Sequence, residues 1–287
     1  RACCEDNLGN IWIGTFNGLN RYNKSTGLFQ NHTANDIQTD GLTHSSIWCI
    51  VKDNQGTLWL GTYFGGVNYF NPEYEIYTRY SYSSNEKKGL SNPVVGRTIE
   101  DKNGNLWIGT EGGGLNYYNR RTREFKWYRP QEGRNSISHN NVKALYYDAD
   151  KEIIWIGTHL GGLNKLDIRS GHFTHYRMEG NNPQSLPSDI IRDITPYKDL
   201  LIIATQNGVC LFNPANGQCR QLFKDSKEGK SIKMVADVVF DSEGTLWIAA
   251  TGEGVFSYRF DTRKLTNYRH DAANPNSLSN NNVNNIT

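Results

Sequence analysis

A motif ending in Trp-Ile-Gly-Thr returns at intervals of 45 to 48 residues, glycines follow it, and short β-forming runs flank it. These three observations predict an all-β chain, a β-propeller built of four-stranded antiparallel blades. Six repeats are visible in the 287 residues, which reads as part of a larger ring of about seven blades.

The first copy of the motif runs from Asp6 to Thr15 and the second from Asp53 to Thr62. The third spans Asp101 to Thr110 and continues through Gly112-Gly113-Gly114 into Leu115-Asn-Tyr-Tyr118. The fourth spans Asp148 to Thr158. The fifth, Tyr197 to Thr205, is degenerate, with Ile202 where Trp is expected and no Asp-x-x-Gly turn. The sixth runs from Asp241 to Ala250. Asp and Gly mark a tight turn, the Trp-bearing run is a strand, and the glycines supply the positive φ of a hairpin.

Each motif has a strand before it and a strand outside it. The preceding strands are 46–51, 94–99, 142–147, 190–194 and 235–240; the outer strands are 77–80, 125–128, 173–176 and 265–268. Each unit therefore has an inner strand A, a Trp-bearing strand B, a strand C after the glycines, and an outer strand D. The domain reads as 1–287, with blades at approximately 1–33, 42–83, 91–131, 138–179, 187–225 and 231–271, and 278–287 starting a further strand A. No helical period of useful length appears. Trp is the wedge between blades, and Gly109 and its equivalents sit where sheets need close backbone approach. The polar D-to-A connections are expected at the same end of the strands as the B-to-C glycine turns.

Residues 1–6 and 281–287 both match strand A, so both compete for one place if six repeats close alone. Repeats beyond this chain are the favoured explanation. The chain lacks an initiating Met and a signal-peptide pattern, and both ends read as cut from a longer protein.

Composition narrows the function classes. Lys and Arg number 31 against 29 Asp and Glu, a net charge of +2, which gives no electrostatic reason to expect nucleic acid or a membrane surface. No apolar run approaches the roughly 20 residues of a membrane span. Seven Trp, 16 Tyr and 28 Gly against 8 Pro suit many short strands joined by glycine turns. Of the 5 Cys, Cys210 and Cys219 flank the turn 213–217. A cross-strand disulfide is one reading of them and two small buried hydrophobes the other.

Catalytic and metal chemistry finds little support. The Asp residues recur with the repeat, as turn residues do. Residues 148–152 resemble the start of a calcium loop but lack its glycine and its bidentate Glu. The seven His show no zinc spacing, and there is no nucleophile elbow or phosphate loop. No cofactor is expected.

Leu-Trp-Ile-Gly-Thr followed by Gly-Gly-Leu-Asn, in six complete or degenerate copies, resembles the two-component regulator propeller repeat. That resemblance implies the periplasmic sensor region of a Bacteroidetes hybrid histidine kinase, often with two seven-bladed propellers in tandem. It also implies a smaller all-β domain, a membrane helix, a kinase, a receiver and a DNA-binding domain beyond this chain. Its implied ligands are oligosaccharides from glycan breakdown. A homodimer through the parent protein and membrane attachment through other segments are further implications.

Within this frame, one slot varies. Phe16, Tyr63, Glu111, His159, Gln206 and Thr251 follow the Gly-Thr pair or its equivalent and differ in every unit. A constant scaffold with one variable loop position reads as a binding surface. Tyr63 and Phe64 suit stacking on sugar faces, and Glu111 and His159 suit hydroxyls. Gln206, and His139 in the connection 135–142, complete the candidate set. Solvent-facing turn residues without a partner are the plainer reading of the same positions. Streptogramin lyases are similar propellers with a His and an acid on one face, so a lyase using Glu111 and His159 stays open, as does a protein-interaction propeller.

Overall fold

Five-residue apolar runs set between glycine turns are too short for helices and suit strands. In the computed structural model they are strands, described for residues 2–34, 41–72, 76–224, 226, 229 and 232–286. Sheet one holds β1 (Ala2–Glu5), β2 (Ile11–Thr15), β3 (Gly18–Asn23) and β4 (Leu28–His32). Sheet two holds β5 (Ile47–Lys52), β6 (Leu58–Thr62), β7 (Val67–Asn71) and β8 (Ile76–Tyr80). Sheet three holds β9 (Val95–Glu100), β10 (Leu106–Thr110), β11 (Leu115–Asn119) and β12 (Glu124–Tyr128). Sheet four holds β13 (Val142–Asp148), β14 (Ile153–Thr158), β15 (Leu163–Asp167) and β16 (Phe173–Tyr176). Sheet five holds β17 (Ile191–Tyr197), β18 (Leu200–Thr205), β19 (Gly208–Phe212) and β20 (Cys219–Gln221). Sheet six holds β21 (Val235–Phe240), β22 (Leu246–Ala250), β23 (Gly254–Arg259) and β24 (Lys264–Tyr268).

Every sheet is a four-stranded antiparallel meander in chain order, the blade unit expected from the repeat. Strands β4 and β20 were not legible as outer strands, because β4 is mostly polar and exposed and β20 has three residues. Among the described residues no helix is long and apolar enough to cross a membrane. The chain divides into two compact units, residues 1–153 and 154–287.

In the first unit the cores lie between successive sheets. Trp12, Leu19, Ile47, Leu60 and Phe70 form one cluster, and Trp59, Val67, Val95, Ile108 and Tyr118 another. The glycine of each Trp-x-Gly run is set by that packing. A Cβ on Gly14 would lie 2.6 Å from Ile47, on Gly61 2.7 Å from Val95, and on Gly109 2.6 Å from Val142, each the first residue of the next inner strand. In the second unit Ile202, Val209, Val235, Leu246, Ile248 and Phe256 share one cluster, and Ile202 is fully buried in the place of the missing Trp.

The turn Asp does more than cap its turn. In the first motif Asp6 Oδ1 accepts from the Leu8 and Asn10 N–H groups, and Oδ2 accepts from the Trp12 indole at 2.7 Å. Asp53 with Trp59 (2.7 Å), Asp101 with Trp107 (3.3 Å) and Asp241 with Trp247 (2.8 Å) repeat the arrangement. The carboxylate thus ties the A-to-B turn to the blade wedge six residues later. Asp148 differs: its side chain takes Lys151 Nζ at 2.9 Å.

At Asp6 and Asp241 these bonds favour the charged carboxylate. Burial pushes the Asp6 carboxyl up, but donors from Asn10, Trp12 and Leu8 outweigh it and hold it below its usual value. The Trp247 indole, with Thr245 and Glu243, does the same for Asp241. A carboxyl lowered in the folded state adds stability above its unfolded pKa, and that stability is lost as pH falls through the folded value. Urea midpoints are therefore expected to fall once pH drops below about 4. Asp241→Asn should be less stable at pH 6 and show a shallower acid decline; an equally steep decline would count against this assignment.

The disulfide reading is not met. All five cysteines are free, with Cys210 and Cys219 both buried. The register opposes Cys210 to Gln221 and Phe212 to Cys219, so the two residues lie diagonally across the ladder, their thiols in hydrogen-bonding contact but not bonded. Burial, with Cys219 beside it, pushes the Cys210 thiol well up. At the amino end β1 pairs with β2 and holds the inner place of sheet one. At the other end residues 281–286 are not a strand. The Ile286 N–H nevertheless donates to Asp237 at 2.9 Å, as the Val238 N–H donates to Asp193 at 3.3 Å, so the segment follows β21 as β21 follows β17.

Candidate functional site

The B-to-C turns are built by a repeated set of bonds. Thr15, Thr62, Thr110, Thr158 and Thr205 each donate a hydroxyl at 2.8–2.9 Å to the carbonyl of the glycine at, or just before, the start of strand C. The asparagine two residues after that glycine fastens the D-to-A loop: Asn116 Oδ1 accepts from the Ser91 N–H at 2.8 Å, and Asn68 Oδ1 from the Thr43 N–H at 3.0 Å. The Gly112 and Gly114 N–H groups both donate to the Asn140 carbonyl, and Gly252 and Gly254 to that of Asn281. D-to-A loops and B-to-C turns therefore share one end of the sheets, as the strand order requires.

The variable slot is tied by its backbone. The N–H groups of Tyr63, Glu111, Gln206 and Thr251 donate to the carbonyls of Ser46, Val94, Ile190 and Met234 at 2.9–3.2 Å. The side chains are then free to differ, but most are not idle. The Tyr63 ring lies 5.8 Å from Trp48 and 4.4 Å from Phe64, and Phe64 lies 6.0 Å from His44. Glu111 forms an ion pair with Lys143. Gln206 Oε1 accepts from Arg192 at 3.2 Å. Phe16 is 71% exposed, and His159 is half-buried in the second unit. His139 is a turn residue: its Nδ1 accepts the Asn141 N–H, as His44 Nδ1 accepts that of Ser46.

The structure thus brings Tyr63 and Phe64 together and adds Trp48 and His44 to them. The partners Trp48, Lys143 and Arg192 were missed in the sequence. They are the second residues of β5, β13 and β17, where β9 and β21 carry Gly96 and Ala236. That position varies from unit to unit just as the slot does, so the signal was present one strand earlier. Among the described residues no cluster of His, Cys, Asp and Glu is arranged to hold a metal.

The sequence profile described as "Two component regulator propeller" matches residues 41–64, 89–112 and 136–159. These are two component regulator propeller repeats. Each matched stretch runs from a D-to-A loop through strands A and B and ends at or just after a slot residue. The extracellular domain of a hybrid two component system from B. thetaiotaomicron is similar in structure, with TM-score 0.84 at 21% identity, over 100% of this chain and 36% of that one. The extracellular domain of a one component system from the same organism reaches 0.58 at 22%, over 94% and 43%. Virginiamycin B lyase from Staphylococcus aureus reaches 0.68 at 11%, over 93% and 83%. At these identities the likeness shows the fold, a β-propeller. The chain spans less than half the length of the two sensor chains it resembles. A comparison with curated proteins finds no match.

Proposed function

We propose that this repeat region is the ligand-sensing, extracytoplasmic part of a two-component signalling protein, and that it receives oligosaccharides at the B-to-C end of its sheets. The observation that carries the reading is the aromatic group of sheet two. Tyr63 and Phe64 are 37% and 58% exposed and meet edge to face, with Trp48 beneath and His44 at the side. Exposed rings held in a fixed arrangement suit the C–H faces of pyranoses, with polar neighbours for the hydroxyls. Glu111 and His139 are the polar members of this proposed surface in the first unit, and His159 and Gln206 hold the corresponding loop positions of the second unit. The repeat profile and the likeness to extracellular domains of signalling proteins support the sensor role.

Calorimetry with neutral oligosaccharides tests it. Tyr63→Ala and Phe64→Ala are expected to weaken binding by about tenfold each, near the worth of one aromatic contact. Both side chains are exposed, so thermal stability should hardly change. Unchanged affinity in both variants would remove this end of the sheets from the recognition surface.

A further inference from the structure

The opposite end of sheets two and three carries a second feature that the slot residues do not explain. A cavity of about 490 Å³ opens there, with Trp59, Tyr69, Tyr80 and Tyr118 as its aromatic walls and Asp53, Arg120 and Arg123 at its polar side. The rings are ordered: Trp59 stacks on Tyr69 at 4.7 Å, Tyr69 on Tyr80 at 5.6 Å, and the Tyr80 and Tyr118 hydroxyls hydrogen-bond to each other. Arg120 is fixed. It lies 5.2 Å over the Trp59 ring, donates to Asp53 at 2.8 Å and reaches Glu100 at 3.5 Å.

Neither arginine belongs to the blade frame. At the place of Arg120 the other C-to-D turns carry Lys24, Pro72, Ile168, Pro214 and Phe260. At the place of Arg123 three of them use Gly27, Gly171 and Gly217 in the left-handed region, which Arg123 adopts with φ 57 and Arg263 with φ 55. Arg120 is neutralised by its two carboxylates, whereas Arg123 has no ion pair among the described residues. The cavity therefore presents stacked rings and one uncommitted guanidinium, in a volume within the usual range for small-molecule sites. Aromatic walls ask for a ring with an apolar face, and a free guanidinium asks for a carboxylate, which it binds through paired N–H donors.

We infer that this cavity is a binding site for a six-membered-ring carboxylate, separate from the oligosaccharide surface at the other end of the sheets. The ring is that of a sugar acid or of an aromatic acid. Its carboxylate meets Arg123, and its ring packs against Tyr69 and Tyr80.

Calorimetry of the purified chain at low salt, with D-glucuronate, benzoate and D-glucose as probes, tests the site. At least one acid should bind and glucose should not; which acid binds names the source of the ring. Arg123→Gln should weaken that acid by about tenfold or more, and Arg123→Lys by less, because a charged hydrogen bond is lost in the first and a charge is kept in the second. Added salt should weaken binding. Arg123 is exposed, so melting temperatures confirm that the variants fold. Tyr63→Ala and Phe64→Ala should leave acid binding unchanged, which separates this site from the proposed oligosaccharide surface. Failure of both acids at millimolar concentration, equal binding of glucose, or an Arg123→Gln variant that binds as tightly as the parent would overturn the inference.

Discussion

Trp12→Ala is expected to cost about 3–5 kcal/mol, the range for removing a buried aromatic side chain. Trp12 is 2% exposed and packs edge to face on Phe70 of sheet two at 4.8 Å and against His32 at 5.6 Å. It therefore fills the space between two sheets, and truncation leaves a void that neither rigid sheet closes easily. It also removes one of the two donors to Asp6 Oδ2, the other being the Asn10 side-chain amide. Trp12→Phe separates the two effects, since it keeps most of the ring and deletes the indole N–H. A buried carboxylate that loses one donor costs about 1–3 kcal/mol. Urea unfolding of the parent and both variants gives the comparison, with the alanine variant expected well below phenylalanine and phenylalanine below the parent. A phenylalanine variant as stable as the parent would show the indole–carboxylate bond to be dispensable. Ile202 shows that a blade without the pair can exist, since it fills the same place fully buried. In the second unit that cost is met by a wholly apolar cluster around it.

The contrast between Trp12 and the arginines explains which features were legible in the sequence. A residue that recurs every blade announces itself, and its neighbours recur with it. Asp (Asp148 excepted), Trp, Thr and Asn each proved to have a job repeated from blade to blade, and the strand order followed from their spacing. Interactions made once leave no such trace. Lys143 reaches back to Glu111 of the preceding sheet because Gly96, its equivalent there, has no side chain to do so. Arg120 crosses to Asp53 over 67 residues of sequence. The candidate residues Tyr63 and Phe64 were legible as variable aromatics on a turn, but Trp48 was hidden because it reads as an ordinary strand residue. Cys210 and Cys219 failed for a different reason. Symmetry about a turn suggested directly opposed residues, whereas the register places them diagonally, as two buried free thiols beside each other.

Gly114→Ala is the second change with a large expected effect, about 2–5 kcal/mol from a left-handed conformation and an overpacked contact together. The triple glycine 112–114 reads in the sequence as one flexible turn, but its members have separate reasons. Gly112 has φ +109 and faces Asn92, whose side chain can give way. A Cβ on Gly113 would lie 2.2 Å from Ser91 Oγ. Gly114 is the constrained one: φ is +80, and a Cβ would lie 2.2 Å from the Tyr128 carbonyl oxygen. That oxygen is backbone of the outer strand, which cannot move without disturbing the β11–β12 ladder. The same contact recurs at Gly66 with Tyr80, Gly162 with Tyr176 and Gly254 with Tyr268, at 2.2–2.3 Å. Strand D therefore closes over the start of strand C at a distance only glycine permits. Gly133→Ala is the control, since Gly133 has φ +69 with nothing within 4 Å and should carry the conformational cost alone, about 1 kcal/mol. Urea midpoints of the two variants isolate the clash as their difference. If Gly114→Ala is no less stable than Gly133→Ala, close approach of the outer strand is not what requires glycine there, and its left-handed φ is sufficient reason.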